Sequence, residues 1–247
     1  MPRFSGEAET GMKAEGKMRL DRYVSQAAGV SRAAVRVLLR RGAVRVDGLV
    51  VKAADLHLPA GSRVELDGQP LALPGLRYFM LHKPLGVVCS TSDGTHATVL
   101  SLLDEPRRGL LHPVGRLDID TTGLVLLTDD GAWSHGITAP RRHRDKVYRA
   151  TLAEPLAADA VVRFAAGLML KGEDQPTLPA RLDILAPTEV RVTLHEGRYH
   201  QIKRMFAALG NCVIALHREA IGAVVLDPAL APGQYRALQD VEVEALR

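Results

Sequence analysis

Leu124-Val125-Leu126-Leu127 is an unbroken apolar run, closed at once by Thr128-Asp129-Asp130-Gly131. A short apolar run with such a polar boundary is expected to be a buried strand. Leading into it is Gly115-Arg116-Leu117-Asp118-Ile119-Asp120-Thr121-Thr122-Gly123, which has neither a helical nor a strand period. This is a loop bounded by glycines, holding two carboxylates and an arginine beside a buried element. Catalytic groups tend to sit on loops that a rigid scaffold fixes. A lone Asp in a loop, by contrast, is ordinarily a turn former.

Loop and strand together, G-R-L-D-I-D-T-T-G-L-V-L, resemble the central motif of the pseudouridine synthases, G-R-L-D-x-x-T-x-G-L. With T-D-D-G and Trp133-Ser134-His135 following, the stretch resembles the branch that modifies small-subunit ribosomal RNA, the RsuA type. The resemblance implies that Asp118, the acid of R-L-D, is the catalytic residue.

The remaining chain bears on that expectation. Its 247 residues allow one large domain or two smaller ones. Nowhere does an apolar run reach the roughly 18 residues of a membrane span, and the mixed-charge N-terminus is unlike a signal peptide. Cys89 and Cys212 are too few for a disulfide framework and lack metal-ligand spacing, which fits a reducing cytoplasm. Positive charge is unevenly placed: residues 1–68 carry 12 Lys/Arg against 8 Asp/Glu, whereas residues 69–247 carry 20 of each. A polyanion-binding module ahead of a nearly neutral body is expected.

Residues 1–17 have no apolar period and read as a disordered extension. Leu20, Tyr23, Val24, Ala27 and Ala28 then fall on one face of a helix, with Gly29 as its C-cap. Ser31 is a good N-cap for a second helix, which Gly42 is placed to stop. On that helix Arg32, Arg36 and Arg40 recur every four residues, joined by Arg41 and Arg45, and no acid occurs between Tyr23 and Val46. A basic stripe is often only a solvated face. Asp47-Gly48 between two short β-branched runs is a hairpin signal. The order helix, helix, strand, turn, strand, with R-L-D-R-Y, G-V-S-R and V-x-V-D-G, resembles the S4 domain, an RNA-binding fold of the α-L type, over residues 18–67. That resemblance implies shape and backbone contacts to structured RNA through these five arginines. Residues 68–77, with two glycines and two prolines, read as a linker.

In residues 78–247, Tyr78 to His82 and Val87 to Ser90 read as two strands joined by Lys83-Pro84-Leu85-Gly86. That turn resembles the family's K-P-x-G motif, for which an architectural role is expected. Asp118, Asp120, Asp129 and Asp130 could suggest a Mg²⁺ site, since hard cations prefer oxygen ligands. The two pairs should, however, lie at opposite ends of roughly 20 Å of strand, so no metal is expected. A second basic cluster, Arg141, Arg142, Arg144, Lys146 and Arg149, leads into the strand of Val147 and Tyr148. Lys146-x-Tyr148 matches the family's K-x-Y motif, which implies that Tyr148 stacks on the target base. Residues 157–166 read as a helix. Residues 181–185 and 190–194 read as strands. Residues 196–206 are expected to begin a helix that ends at Gly210, with Ile202, Met205, Phe206 and Leu209 as its apolar face. Their sequence resembles the family motif E-G-x-x-H-Q-[IV]-[KR], which implies that Lys203, or failing that Arg204, pairs with Asp118. Residues 211–217 read as a buried strand, and a short polar helix near Asp240 closes the chain.

Many strands with few helices predict an α+β fold: an S4 domain, then a catalytic domain on a mixed, largely antiparallel sheet with flanking helices. Neither G-x-G-x-x-G nor a P-loop occurs, so no nucleotide cofactor is expected. By resemblance the chain isomerises a uridine of 16S rRNA to pseudouridine without any cofactor. Asp118, Tyr148 and Lys203 would be catalytic, with Arg116 as a wedge and Arg141 and Arg142 on the RNA. The expected protein is a cytoplasmic monomer that acts on ribosomal RNA, free or in an assembling small-subunit particle. The alternatives are a synthase acting on 23S rRNA, a non-catalytic assembly factor on the same fold, or a Mg²⁺-dependent nuclease or phosphotransferase.

Overall fold

The computed structural model describes residues 18–139 and 144–247. The expected disordered extension, Arg141 and Arg142 lie outside the described residues. Two compact units result, the first ending at Gly75 and the second being Leu76–Arg247.

The first unit contains α1 (Leu20–Ala28), α2 (Arg32–Arg40), β1 (Val44–Val46), β2 (Leu49–Val50), β3 (Val64–Leu66) and β4 (Gln69–Pro70). Gly29 ends α1 in the left-handed region, and the Ser31 hydroxyl caps α2 by accepting from the Ala34 amide. Leu20 and Val24 pack with Val35, Leu39, Val44, Val46, Leu58 and Val64 into one core. Because Val35 and Leu39 turn inward, Arg32, Arg36 and Arg40 face solvent. The strands form an antiparallel sheet in the order β2-β1-β3-β4. Asp47 and Gly48 both take positive φ, as a tight hairpin requires. Gln69 and Pro70, inside the stretch expected to be a linker, instead pair with β3; proline is tolerated there because β4 is an edge strand.

The second unit runs β5 (Tyr78–Lys83), β6 (His112–Val114), β7 (Thr121–Thr128), α3 (Gly131–Thr138), β8 (Lys146–Leu152), α4 (Ala160–Ala166), β9 (Arg181–Ala186), β10 (Glu189–Leu194), α5 (Gln201–Ala208), β11 (Val213–Ile221), β12 (Val224–Val225), β13 (Tyr235–Ala237) and α6 (Asp240–Ala245). Its sheet has the order β13-β5-β7-β11-β8-β10-β9, with β12 beside β11 and β6 beside β7. Among the described strands only β7 and β11 pair in parallel. The fold is α+β on a mixed, largely antiparallel sheet. β7 is central and covered on both faces. Val125 and Leu127 join Phe79, Leu81, Phe164 and Phe206 on one side. Leu124 and Leu126 join Met80, Trp133, Ile137 and Val243 on the other. That double cover is why the run from 124 to 127 shows no polar alternation.

Several elements differ from expectation. Val87 to Ser90 is not a strand; only Val88 makes an isolated bridge, to Thr98. Both edges of β5 are already taken, by β7 and β13, so the chain returning from the Lys83-Pro84 turn has no edge to pair with. Asp129-Asp130-Gly131 is more than a turn, because the Asp130 carboxylate accepts from the Ala132 and Trp133 amides and caps α3. Two glycines, a serine and a threonine hide this helix from propensity. Burial of Trp133, whose indole N–H donates to the Val243 carbonyl, stabilises it instead. The helix expected over 157–166 starts only at Ala160. Residues 196–200 form a loop, and α5 starts at Gln201, after His200 at φ +48°. β11 continues past His217 to Ile221.

The β7–β11 contact depends on Gly123. Its φ is +106°, and a Cβ there would stand 2.3 Å from the Arg218 carbonyl oxygen and 2.6 Å from its nitrogen. Gly123→Ala is expected to cost about 2–4 kcal/mol in urea unfolding. Gly131→Ala, with open space around it, should stay within about 0.5 kcal/mol of the parent. Equal stabilities would show that β7 and β11 can part freely.

Candidate active site

The Asp118 loop is fastened from beneath. Lys83, at the end of β5, is fully buried, and its ammonium donates to the carbonyls of Thr121 (2.7 Å), Pro84 (3.0 Å) and Ile119 (3.4 Å). The Gly86 amide donates to the Ile119 carbonyl, and the Leu117 amide to Cys89 Sγ. The K-P-x-G turn and the segment after it thus grip the loop on both sides of Asp118. Burial pulls the Lys83 ammonium below its ordinary range, opposed by the charges of Cys89, Asp120 and Asp118.

Asp118 itself is half-buried at the wall of a cleft of about 690 Å³. One carboxylate oxygen lies 3.4 Å from Lys203 Nζ and the other 3.4 Å from His200 Nε2. α5 presents Lys203 because its neighbours Ile202, Met205 and Phe206 turn into the core. The same ammonium is closer to Asp120, at 2.5 Å. Burial pulls Lys203 down, but the hydrogen bond to Asp120 and the charges of both carboxylates outweigh it and raise the ammonium above its usual range. Asp120 is correspondingly lowered, chiefly by the hydrogen bond from Lys203. Arg204 turns elsewhere, to Glu173 at 2.8 Å and the carbonyls of Lys171 and Tyr199.

Tyr148, buried on β8, lines the same cleft. Behind it is Arg218 on β11, only 2% exposed. The Arg218 guanidinium lies 5.9 Å from the Tyr148 ring centroid; its Nη1 donates to the Tyr148 hydroxyl (3.5 Å) and its Nε to the Leu124 carbonyl (2.8 Å). Arg218 Nη2, Thr121 Oγ1 and Arg144 Nε are buried with no hydrogen-bond partner among the described residues, and all three residues line this cleft. Buried polar groups are normally satisfied, so the concentration of exceptions here suits a cleft built for a polar ligand. Arg116 stands at the cleft, exposed and without an acidic partner among the described residues.

Asp118, Tyr148, Lys203 and Arg116 therefore share one cleft. Arg32, Arg36, Arg40, Arg41 and Arg45 belong to the first unit, where all five are exposed and Arg41 is paired with Asp67 at 2.6 Å. Asp129 and Asp130 sit at the far end of β7, bound to Arg77 and capping α3. Among the described residues no three His, Cys, Asp or Glu side chains gather as metal ligands. Sequence reasoning missed two participants. His200 was visible within the E-G-x-x-H-Q run but carried no assigned role. Arg218 sits in a strand with nothing local to mark it as buried.

The family model of the RNA pseudouridylate synthases matches residues 77–208, and that of the S4 domain matches residues 18–70. Ribosomal small subunit pseudouridine synthase A of Yersinia pestis is 55% identical, over 93% of this chain and 98% of that protein. The protein of the same name from Escherichia coli strain K12 is 54% identical, over 93% of this chain and 100% of its own. A pseudouridylate synthase crystal structure superposes with a TM-score of 0.69 at 45% identity, covering 93% of this chain and 100% of that one. With two family models matched in order and such identity across nearly its whole length, the chain belongs to the RNA pseudouridylate synthase family, with an S4 domain ahead of the synthase domain.

Proposed function

We propose that the chain isomerises a uridine of small-subunit ribosomal RNA to pseudouridine, with Asp118 as the catalytic carboxylate. The observation that carries this reading is the Asp118 carboxylate at the cleft wall, flanked at 3.4 Å by both Lys203 and His200. The relatives' names favour small-subunit RNA over large-subunit RNA.

Isomerisation breaks the N1–C1′ glycosidic bond and forms a C5–C1′ bond. C5 gives up a proton and N1 gains one, so atoms and electrons balance without a redox partner. The reaction needs an ionised carboxylate at the sugar, a surface that retains the detached base, and a group to move the C5 proton. Asp118 supplies the first, its charge held by the neighbouring ammonium of Lys203. Tyr148 stacks on the uracil. Its hydroxyl accepts from Arg218, which leaves its own proton free to point at the ligand. Leaving the RNA stack costs the target base a few kcal/mol, and the exposed Arg116 guanidinium fills the space it vacates. The N-terminal unit grips the RNA backbone through the arginines of α2, whether the RNA is free or in an assembling particle.

Asp118→Asn should fold like the parent while its turnover falls at least about 10³-fold. Tritium release from C5 of unmodified small-subunit rRNA, with EDTA present, measures this. Turnover retained in the variant rejects the assignment, and turnover of the parent lost to EDTA points to a metal-dependent reaction. Replacing Arg32, Arg36 and Arg40 together by Gln should flatten the dependence of log affinity on log salt by about 2 to 3. An unchanged slope would remove α2 from the RNA-binding surface.

A further inference from the structure

Tyr199 is 76% exposed, more than any other large apolar side chain among the described residues. The chain has five tyrosines. Tyr23, Tyr78, Tyr148 and Tyr235 each engage their hydroxyl in a hydrogen bond within the fold. The Tyr199 hydroxyl has no such bond among the described residues. The ring is nonetheless ordered against a neighbour: it stacks on the His200 imidazole, with centroids 3.8 Å apart and planes 20° from parallel. His200 is held in turn. Its φ of +48° is uncommon for a residue with a Cβ, its carbonyl accepts from the Arg204 amide, and its Nε2 faces Asp118. Gln201 braces the turn by accepting from the Arg198 amide and donating to Glu196.

This stack stands where two clefts meet. Arg116, Asp118, Tyr199 and His200 line both the large cleft and a second one of about 370 Å³, which extends toward Val88 and Ser90. A stacked aromatic pair whose outer ring is largely in solvent matches the flat face of a nucleobase, and such stacking tolerates any base. RNA bases are splayed out and stacked on aromatic side chains in this way where strands are single. Arg116, with no acidic partner among the described residues, also stands at the junction, where the strand would leave its stack.

We propose that Tyr199, backed by His200, is a stacking platform for the unpaired RNA base next to the target uridine, and that the second cleft receives that neighbouring nucleotide. The inference rests on the RNA-modifying function proposed above and adds a second nucleotide subsite to it. The platform holds the neighbouring base outside the helical stack while the target occupies the Asp118 cleft. It therefore acts on RNA engagement before the bond-breaking step.

Three full-length variants test it on unmodified small-subunit rRNA. Tyr199→Ala should weaken RNA binding and raise KM by about 5- to 50-fold, with kcat falling much less. Tyr199→Phe should bind within about twofold of the parent, and Tyr199→Leu should resemble Tyr199→Ala, because a flat ring and not bulk is required. Melting temperatures should not move, given the exposure of the side chain. After the product position is mapped, an abasic site placed beside it should weaken binding by the parent and leave the affinity of Tyr199→Ala unchanged. Parent-like binding by Tyr199→Ala overturns the platform, as does a loss confined to kcat, which would mean that Tyr199 acts through His200 on Asp118. Either result leaves the isomerase reading intact. That reading fails separately, if the parent itself forms no pseudouridine.

Discussion

A buried ammonium holds the site together. Among the described residues Lys83 has no carboxylate in hydrogen-bond contact, so its charge is offset by three carbonyls and by the more distant Asp118 and Asp120. Hydrogen bonds from a charged donor contribute about 1.5–3 kcal/mol each, and here two of the three end on the backbone of the Asp118 loop. The same charge that would be costly to bury alone thereby ties the irregular part of the loop, at Ile119, to the first residue of β7, Thr121. Gly123 completes the arrangement by letting the Arg218 backbone approach, which seats β11 in parallel beside β7 and brings Arg218 behind Tyr148.

Over that foundation, one ammonium serves two carboxylates. Lys203 is nearer to Asp120 than to Asp118, but the Asp120 side chain is 63% exposed and that of Asp118 only 32%. Water screens the exposed pair more strongly, so the shorter distance does not by itself make the stronger interaction. A ligand that excluded water from the cleft would strengthen the Asp118–Lys203 attraction more than it changed the rim pair. Asp120 thus keeps the amine at the cleft mouth without removing it from reach of Asp118.

The two units divide charge as they divide architecture. The first carries the excess of basic residues on a helix whose apolar side is spent on its own core. The second is close to neutral and keeps its cations for particular tasks: Lys83 under a loop, Arg218 behind a ring, Lys203 beside a carboxylate. Long-range attraction for a polyanion and short-range charge placement pull in different directions. Separating them lets the synthase unit bury cations without becoming a general nucleic-acid surface.

Local order was written in the sequence wherever a short-range rule decides it. The apolar run at 124–127 announced a buried strand, Ser31 and Gly29 announced helix ends, and Asp47-Gly48 announced a hairpin, because capping and turn geometry involve residues a few positions apart. The motif order also named Asp118, Tyr148 and Lys203 together. Pairing and burial of partners were decided only by the tertiary structure. Val87 to Ser90 looks like a strand, yet both edges of β5 are filled by distant segments, its partner residues on β7 and β13 being at least 40 and 154 positions away in sequence. α3 forms although its residues are poor helix formers, because Trp133 is buried and bound to Val243. Lys203 rather than Arg204 faces Asp118 because Arg204 is claimed by Glu173. Arg218 looks like any charged residue on a strand until the sheet closes over it. Periodicity reports which side of an element is buried, whereas the identity of what lies opposite is set by contacts between distant segments.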